Sequence, residues 1–244
     1  NLVNSYGLDA LEYLLWAGPG NDCPSQVDIN ADGTWDALGA DNIEQNRAAF
    51  ARTISTELSR QAAALKDAWS PDGGDFSGQL TLETAGGPYS SEQEALDALF
   101  SALFYVEIAT KDRKLAVPLG LQDCSTETCP EDVEHRYSGL GAAAVEANLL
   151  GFRDLFTGGA GFGLDDLLVD LGHGDLSIQI LADLDVALAA AAVIEAPLDE
   201  AIASQPDAVL ALHDAIKMVA DALKGDLATV LMLEIPAEAA GDND

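Results

Sequence analysis

Apolar residues return every three to four positions along almost the whole chain, and that spacing restricts it to packed helices. Residues 1–17 read as one helix, closed by Gly18-Pro19-Gly20. Asp41 and Glu44 carry the spacing of a capping box, opening a helix whose apolar positions Phe50, Ile54, Leu58 and Leu65 run on to Trp69. Ser91 and Glu94 repeat the capping signature ahead of Leu96, Leu99, Leu103 and Val106, a stripe that fades before Pro118. Further helices are expected over about 139–156, 164–171, 176–195 and 207–233, with a frayed acidic tail at 239–244. Only Gly78 to Thr84 alternates in the manner of a strand. The expected fold is all-α, antiparallel helical bundles joined by long acidic loops.

The first helix poses a chemical problem. Gly7-Leu8-Asp9-Ala10-Leu11-Glu12-Tyr13-Leu14-Leu15-Trp16 sets two acids three residues apart in an apolar run. On a helix such positions share a face. With so little polar surface around them the helix is expected to be largely buried, so the carboxylates need a shared proton, a basic partner or a bound cation. Arg47, Lys111 and Arg113 are the candidate basic partners.

The loop after this helix holds a second acidic pattern. Asp28, Asn30, Asp32, Thr34 and Asp36 place oxygen donors at alternate positions, with Gly33 sixth, as in the first nine positions of an EF-hand or dockerin-type calcium loop. Position twelve is Gly39 where such loops carry Glu, and Asp41 could substitute from the next helix. Calcium binding that pins the loop, or a polar Asx-turn loop without an ion, both fit.

Charge and cysteines narrow the surroundings. With 42 Asp and Glu against 11 Lys and Arg, the net charge is -31. Such a surface repels nucleic acid and anionic lipid, whose binding needs clustered Lys and Arg. It attracts cations, and it also suits a protein adapted to a salty medium. No apolar run approaches the ~20 residues of a membrane span. Cys124 and Cys129 bracket a polar loop and are expected to form a local disulfide, which points to an oxidising compartment. Cys23 is left free, or pairs with a cysteine in a segment beyond this sequence.

Gly7-x-Asp9-x-x-Glu12-Tyr13-Leu14-Leu15-Trp16 resembles the motif of the imelysin-like proteins, Gly-x-His-x-x-Glu before an aromatic and a Leu-Leu-Trp-like run, with the family's His replaced by Asp9. The likeness continues through Asn46-Arg47-Ala48-Ala49-Phe50, Leu115-Ala116-Val117-Pro118-Leu119-Gly120, Glu134-His135-x-x-Ser138, Asn148, Gly151 and Gly163-Leu164-Asp165-Asp166-Leu167. It implies two bundle halves, here 1–117 (lacking an N-terminal segment) and 139–244, joined by a disulfide-containing loop at 118–138. It also implies a metal site near their junction.

What the resemblance implies about function is a periplasmic or cell-surface protein of iron or metal acquisition, lipid-anchored through the lacking segment. Its partners would be a metal ion or metal-containing ligand and outer-membrane or periplasmic uptake proteins. The implied metal ligands are Asp9, Glu12, Glu134 and His135, with Arg47 and Ser138 lining the site and the ion being iron, calcium or zinc. No catalytic residue is assigned. The rival is a metallopeptidase of the same family with an altered site. Asp in place of His trades a nitrogen donor for a hard oxygen donor, which shifts preference from zinc towards calcium, magnesium, manganese or ferric iron. A zinc peptidase needs about three protein ligands and a base, and beyond His135 only His173, in a glycine turn, and His213, on the last helix, offer imidazole.

Overall fold

A computed structural model supplies the architecture and describes residues 7–18, 20, 25–80 and 87–240. The fold is all-α, and no strand occurs among the described residues. The chain forms two compact units, Asn1–Thr84 and Ala85–Asp244.

The first unit contains α1 (Leu8–Trp16), the short turns α2 (Asp28–Ala31) and α3 (Thr34–Leu38), the long α4 (Ala40–Trp69) and α5 (Phe76–Gln79). Strong helix formers and i,i+3 or i,i+4 pairs such as Glu57 with Arg60 sustain the 30 residues of α4. The Asp41–Glu44 capping box does not form. Gly39, at φ 74°, flanks a helix that already begins at Ala40, so Asp41 contributes only negative charge to the positive end of the helix. The expected strand also fails where it can be followed, since Gly78 lies in the helical turn α5; residues 81–84 lie outside the described residues.

The expected burial of α1 is corrected as well. None of its residues is buried, and Leu8, Leu15 and Trp16 are exposed, because among the described residues α1 packs chiefly against α4. The start of its expected range, 1–6, is outside the described residues, as is Cys23.

The second unit opens with α6 (Glu92–Leu103), where the Ser91 half of the expected capping box forms and the Glu94 carboxylate reaches Ser90, one residue before the cap. Ser91 Oγ accepts from the Glu94 amide, and the Glu94 carboxylate accepts from the amide and hydroxyl of Ser90. The chain then widens into a π-helical segment, Val106–Ala116, before α7 (Val117–Leu119) ends at Gly120. Gly120 needs to be glycine: its φ is 79°, and a Cβ there would fall 2.0 Å from the Glu127 carbonyl oxygen. The Cys124–Cys129 disulfide closes the following loop as expected. After a 3-10 turn at Pro130–Asp132 come α8 (Gly141–Thr157), α9 (Leu164–Asp170), α10 (Gly174–Ala192), α11 (Leu198–Ser204) and α12 (Pro206–Ala222). A second π turn (Leu223–Leu227), α13 (Ala228–Leu231) and α14 (Ala237–Ala240) complete the unit.

Helix α10 packs on α8, α9 and α12, and α12 also packs on the π segment. Their inner faces bring Phe100, Phe104, Leu115, Leu149, Leu184 and Ile216 into one core with no solvent exposure. That core explains why the compact units part at residues 84 and 85, whereas the motif order had placed the division after 117. Val106 and Leu115 pack with residues of α8 and α12. Helix α11, at seven residues, is too short to show a period in the sequence, and it is held by the burial of Leu198, Ala201 and Ile202. The tail is less frayed than expected up to 240, since Ala239 is buried; 241–244 lie outside the described residues.

Candidate functional site

Helix α1 begins after Gly7, whose extended backbone carries the chain in and whose carbonyl accepts from the Leu11 amide. Asp9 stands in the first turn and is exposed, while Glu12, one turn on, is half-buried. The acids are therefore not locked in an apolar interior, and Asp9 gains from the positive end of the helix. Arg47, an expected charge partner, contacts backbone carbonyls and a ring. Reaching from α4, it donates to the carbonyls of Tyr13, Ala17 and Gly18 at 2.5, 2.9 and 3.0 Å, at the opposite end of α1. Its guanidinium also lies over the Tyr13 ring, 4.8 Å from the centroid. A cation on the last carbonyls of a helix both satisfies orphan acceptors and opposes the negative dipole end. Arg47 thus fastens α1 to α4, and it lines a cavity of about 520 Å³ together with Leu14, Gly18 and Ile43.

The loop after α1 keeps Gly33 in the left-handed region at φ 75°, where a calcium loop turns sharply. Asp28 to Ala31, however, form a helical turn. Asp32 closes an Asx-type turn by accepting from the Thr34 amide at 2.8 Å, and hydrogen bonding from Thr34 holds its carboxyl below the usual range. Asn30, Thr34 and Asp36 flank this turn, and Asp41 follows in the first turn of α4.

In the second unit the structure gathers Glu134, His135 and Ser138 with three residues that the motif inventory had not joined to them. Lys114, from the π segment, pairs with the Glu134 carboxylate. His135 Nε2 lies 3.7 Å from the other Glu134 oxygen, Oε1. His135 has φ 60°, and its carbonyl accepts from the Gly139 amide at 2.9 Å and the Ser138 hydroxyl at 3.3 Å, which closes the loop over it. Asn148 of α8 stands between Thr110 and Lys114. With its amide turned so that the oxygen faces them, that oxygen accepts from Lys114 Nζ at 3.3 Å and Thr110 Oγ1 at 3.1 Å, while the nitrogen donates to the Ala144 carbonyl at 3.3 Å.

Wide π turns concentrate at functional sites because they re-aim side chains that an α-helix would place elsewhere. This one turns Glu107, Thr110, Lys111 and Lys114 inward, all buried. Lys111 pairs with Asp112 at 2.6 Å, and Glu107 pairs with Lys224 of the second π turn. One sequence signal could have pointed here: Lys111-Asp112-Arg113-Lys114 holds three of the eleven basic residues of a strongly acidic chain. His173 flanks α10 as the expected turn residue, and His213 is buried on α12.

The four expected metal ligands are thus divided, Asp9 and Glu12 in the first unit and Glu134 and His135 in the second. Among the described residues no three or more His, Cys, Asp or Glu side chains gather as a metal site. Each pair by itself fits part of a coordination shell. The α1 carboxylates suit a hard cation, and the carboxylate with imidazole suits zinc or iron.

The chain matches the family model described as Imelysin, peptidase M75, over residues 2–226. It belongs to the imelysin family. Comparison with curated proteins and with solved structures returned no match.

Proposed function

We propose that this imelysin-family chain is an extracytoplasmic binding protein that takes up a cation or metal-containing ligand in the service of iron acquisition. The observation that carries the reading is the α1 acid pair. Asp9 and Glu12 stand three residues apart on one face of α1, where the family motif has His and Glu. Glu134 and His135 form a second donor pair. The two α1 carboxylates favour a cation that accepts oxygen, such as ferric iron or calcium, over the nitrogen-rich set of a zinc hydrolase. The Cys124–Cys129 disulfide supports a periplasmic or cell-surface location, where such bonds persist. The uptake partners would then be proteins of the outer membrane or periplasm. No helix among the described residues is long and apolar enough to cross a membrane. Calcium in the Asp28 to Asp41 loop is a further part of the proposal, supported by the glycine turn at Gly33.

Calorimetric titration of metal-free protein with ferric, zinc and calcium ions tests this. At least one ion is expected to bind, with affinity reduced about tenfold or more by Asp9→Ala with Glu12→Ala, the loss of roughly 1.4 kcal/mol or more. Asp32→Ala should remove a separate calcium event. Failure of every ion to bind, or unchanged binding in the double variant, overturns the reading. Chelator-sensitive cleavage of a protein substrate that disappears with Glu12→Gln would replace it with the metallopeptidase alternative.

A further inference from the structure

Lys114 is a buried cation already seated on a carboxylate that the proposed function would use. Its side chain is 8% exposed, whereas that of Glu134 is 41% exposed. The Glu134 carboxylate is divided: Oε2 meets the Lys114 ammonium and Oε1 faces His135 Nε2. Behind the ammonium, the Asn148 amide oxygen supplies a neutral acceptor at 3.3 Å, and Thr110 Oγ1 braces that amide at 3.1 Å.

We infer that Lys114 is a built-in competitor for the Glu134 carboxylate, so that a divalent cation taken up by Glu134 and His135 must displace the Lys114 ammonium; this rests on the cation-binding reading above. The cost of displacement falls on the lysine, not on the half-exposed glutamate. Among the described residues an ammonium buried without its carboxylate keeps the Asn148 oxygen, and a buried charge stripped of its partner is expensive. A hard ion such as calcium gains little from the His135 nitrogen and is held off. An ion with strong affinity for imidazole gains enough to offset the loss. Lys114 would thereby set both the threshold and the selectivity of the pair.

The test is calorimetry at one fixed pH on the full chain, with zinc and calcium ions as probes. The variants are Lys114→Met, Lys114→Arg, and Lys114→Met with Glu134→Gln. Methionine fills a similar buried volume without charge, and Glu134 can remain hydrated. Lys114→Met is expected to bind zinc at least about tenfold more tightly than the parent and to gain a calcium event beyond any that the parent shows. Lys114→Arg should stay within about threefold of the parent, and Glu134→Gln should abolish the gain. A gain that is absent, or one that survives Glu134→Gln, overturns the inference. If the parent binds zinc and Lys114→Met binds it no better, only the competitor role falls; if neither chain binds any ion, the functional reading falls with it. Zinc binding by Lys114→Met, where the parent binds another ion but not zinc, would uphold the competitor and show that it keeps the parent pair closed. Circular dichroism melting of each variant identifies unfolding, and Lys114→Arg carries the test in that event: a tenfold gain despite its retained charge would also overturn the inference.

Discussion

Phe50 and Phe104 both fall on apolar stripes with helical spacing, yet Phe104 is fully enclosed and Phe50 is 47% exposed. The contrast extends to their units. Among its described residues the first unit buries only Ile43, Ala51 and Ile54, while the second encloses a continuous aromatic and aliphatic core. Helix α4 is long but meets the nine-residue α1, so much of its stripe, from Phe50 to Leu65 and Trp69, is exposed. Helices α8, α10 and α12 each meet several neighbours. A periodic pattern states which face would be buried; the number of partners decides whether it is.

The largest expected effect separates the two units by core depletion. Phe104→Ala should lower unfolding free energy by about 3–5 kcal/mol, through lost burial, a cavity and the loss of the edge-on Phe100 ring at 4.9 Å. Phe50→Ala should cost less than about 1 kcal/mol. Urea unfolding of both variants measures this, and comparable losses would break the comparison.

A smaller effect is expected from the polar fastening of the first unit. Arg47→Ala removes three donors to the end of α1 and the contact with Tyr13, a loss of about 1–3 kcal/mol. Amide hydrogen exchange should quicken over residues 8–16 and stay unchanged in α8 and α10. Equal protection in the variant would mean that apolar contact alone holds α1 on α4.

The smallest effect is electrostatic. Hydrogen bonds from Arg60 and then Gln61 hold the Glu57 carboxyl down at about 2, against an ordinary 4.5. A depressed acid contributes stability that is complete above its unfolded value and is lost as pH falls through the folded one, so the window runs from about 4.5 down to about 2. Because the pair is exposed on α4, its effect on global stability should be slight and should shrink with salt. Carboxyl chemical shifts should show Glu57 titrating near 2, and Arg60→Ala should move it back towards 4.5.

The candidate site was legible only in fragments. Glu134, His135, Ser138 and Asn148 could be picked out by their order in the chain, as could Asp9 and Glu12. Lys114 could not be joined to them, because its pairing with Glu134 crosses 20 positions and depends on a π segment that sets which residues turn inward. Arg47 was noticed for its charge, but its role at the carbonyl end of α1 follows from where α4 crosses that helix.

The sequence by itself determined what is written locally. Helical spacing, the Ser91–Glu94 cap, the Cys124–Cys129 loop and the order of family motifs each need only a few neighbouring residues, so each is legible in the chain alone. Tertiary structure decided what depends on distant partners: the exposure of α1, the docking of Ala239, the inward turn of the π segment and the seat of Lys114 on Glu134. Burial and ion pairing are properties of the surroundings that a side chain meets after folding, and those surroundings come from helices far apart in the chain.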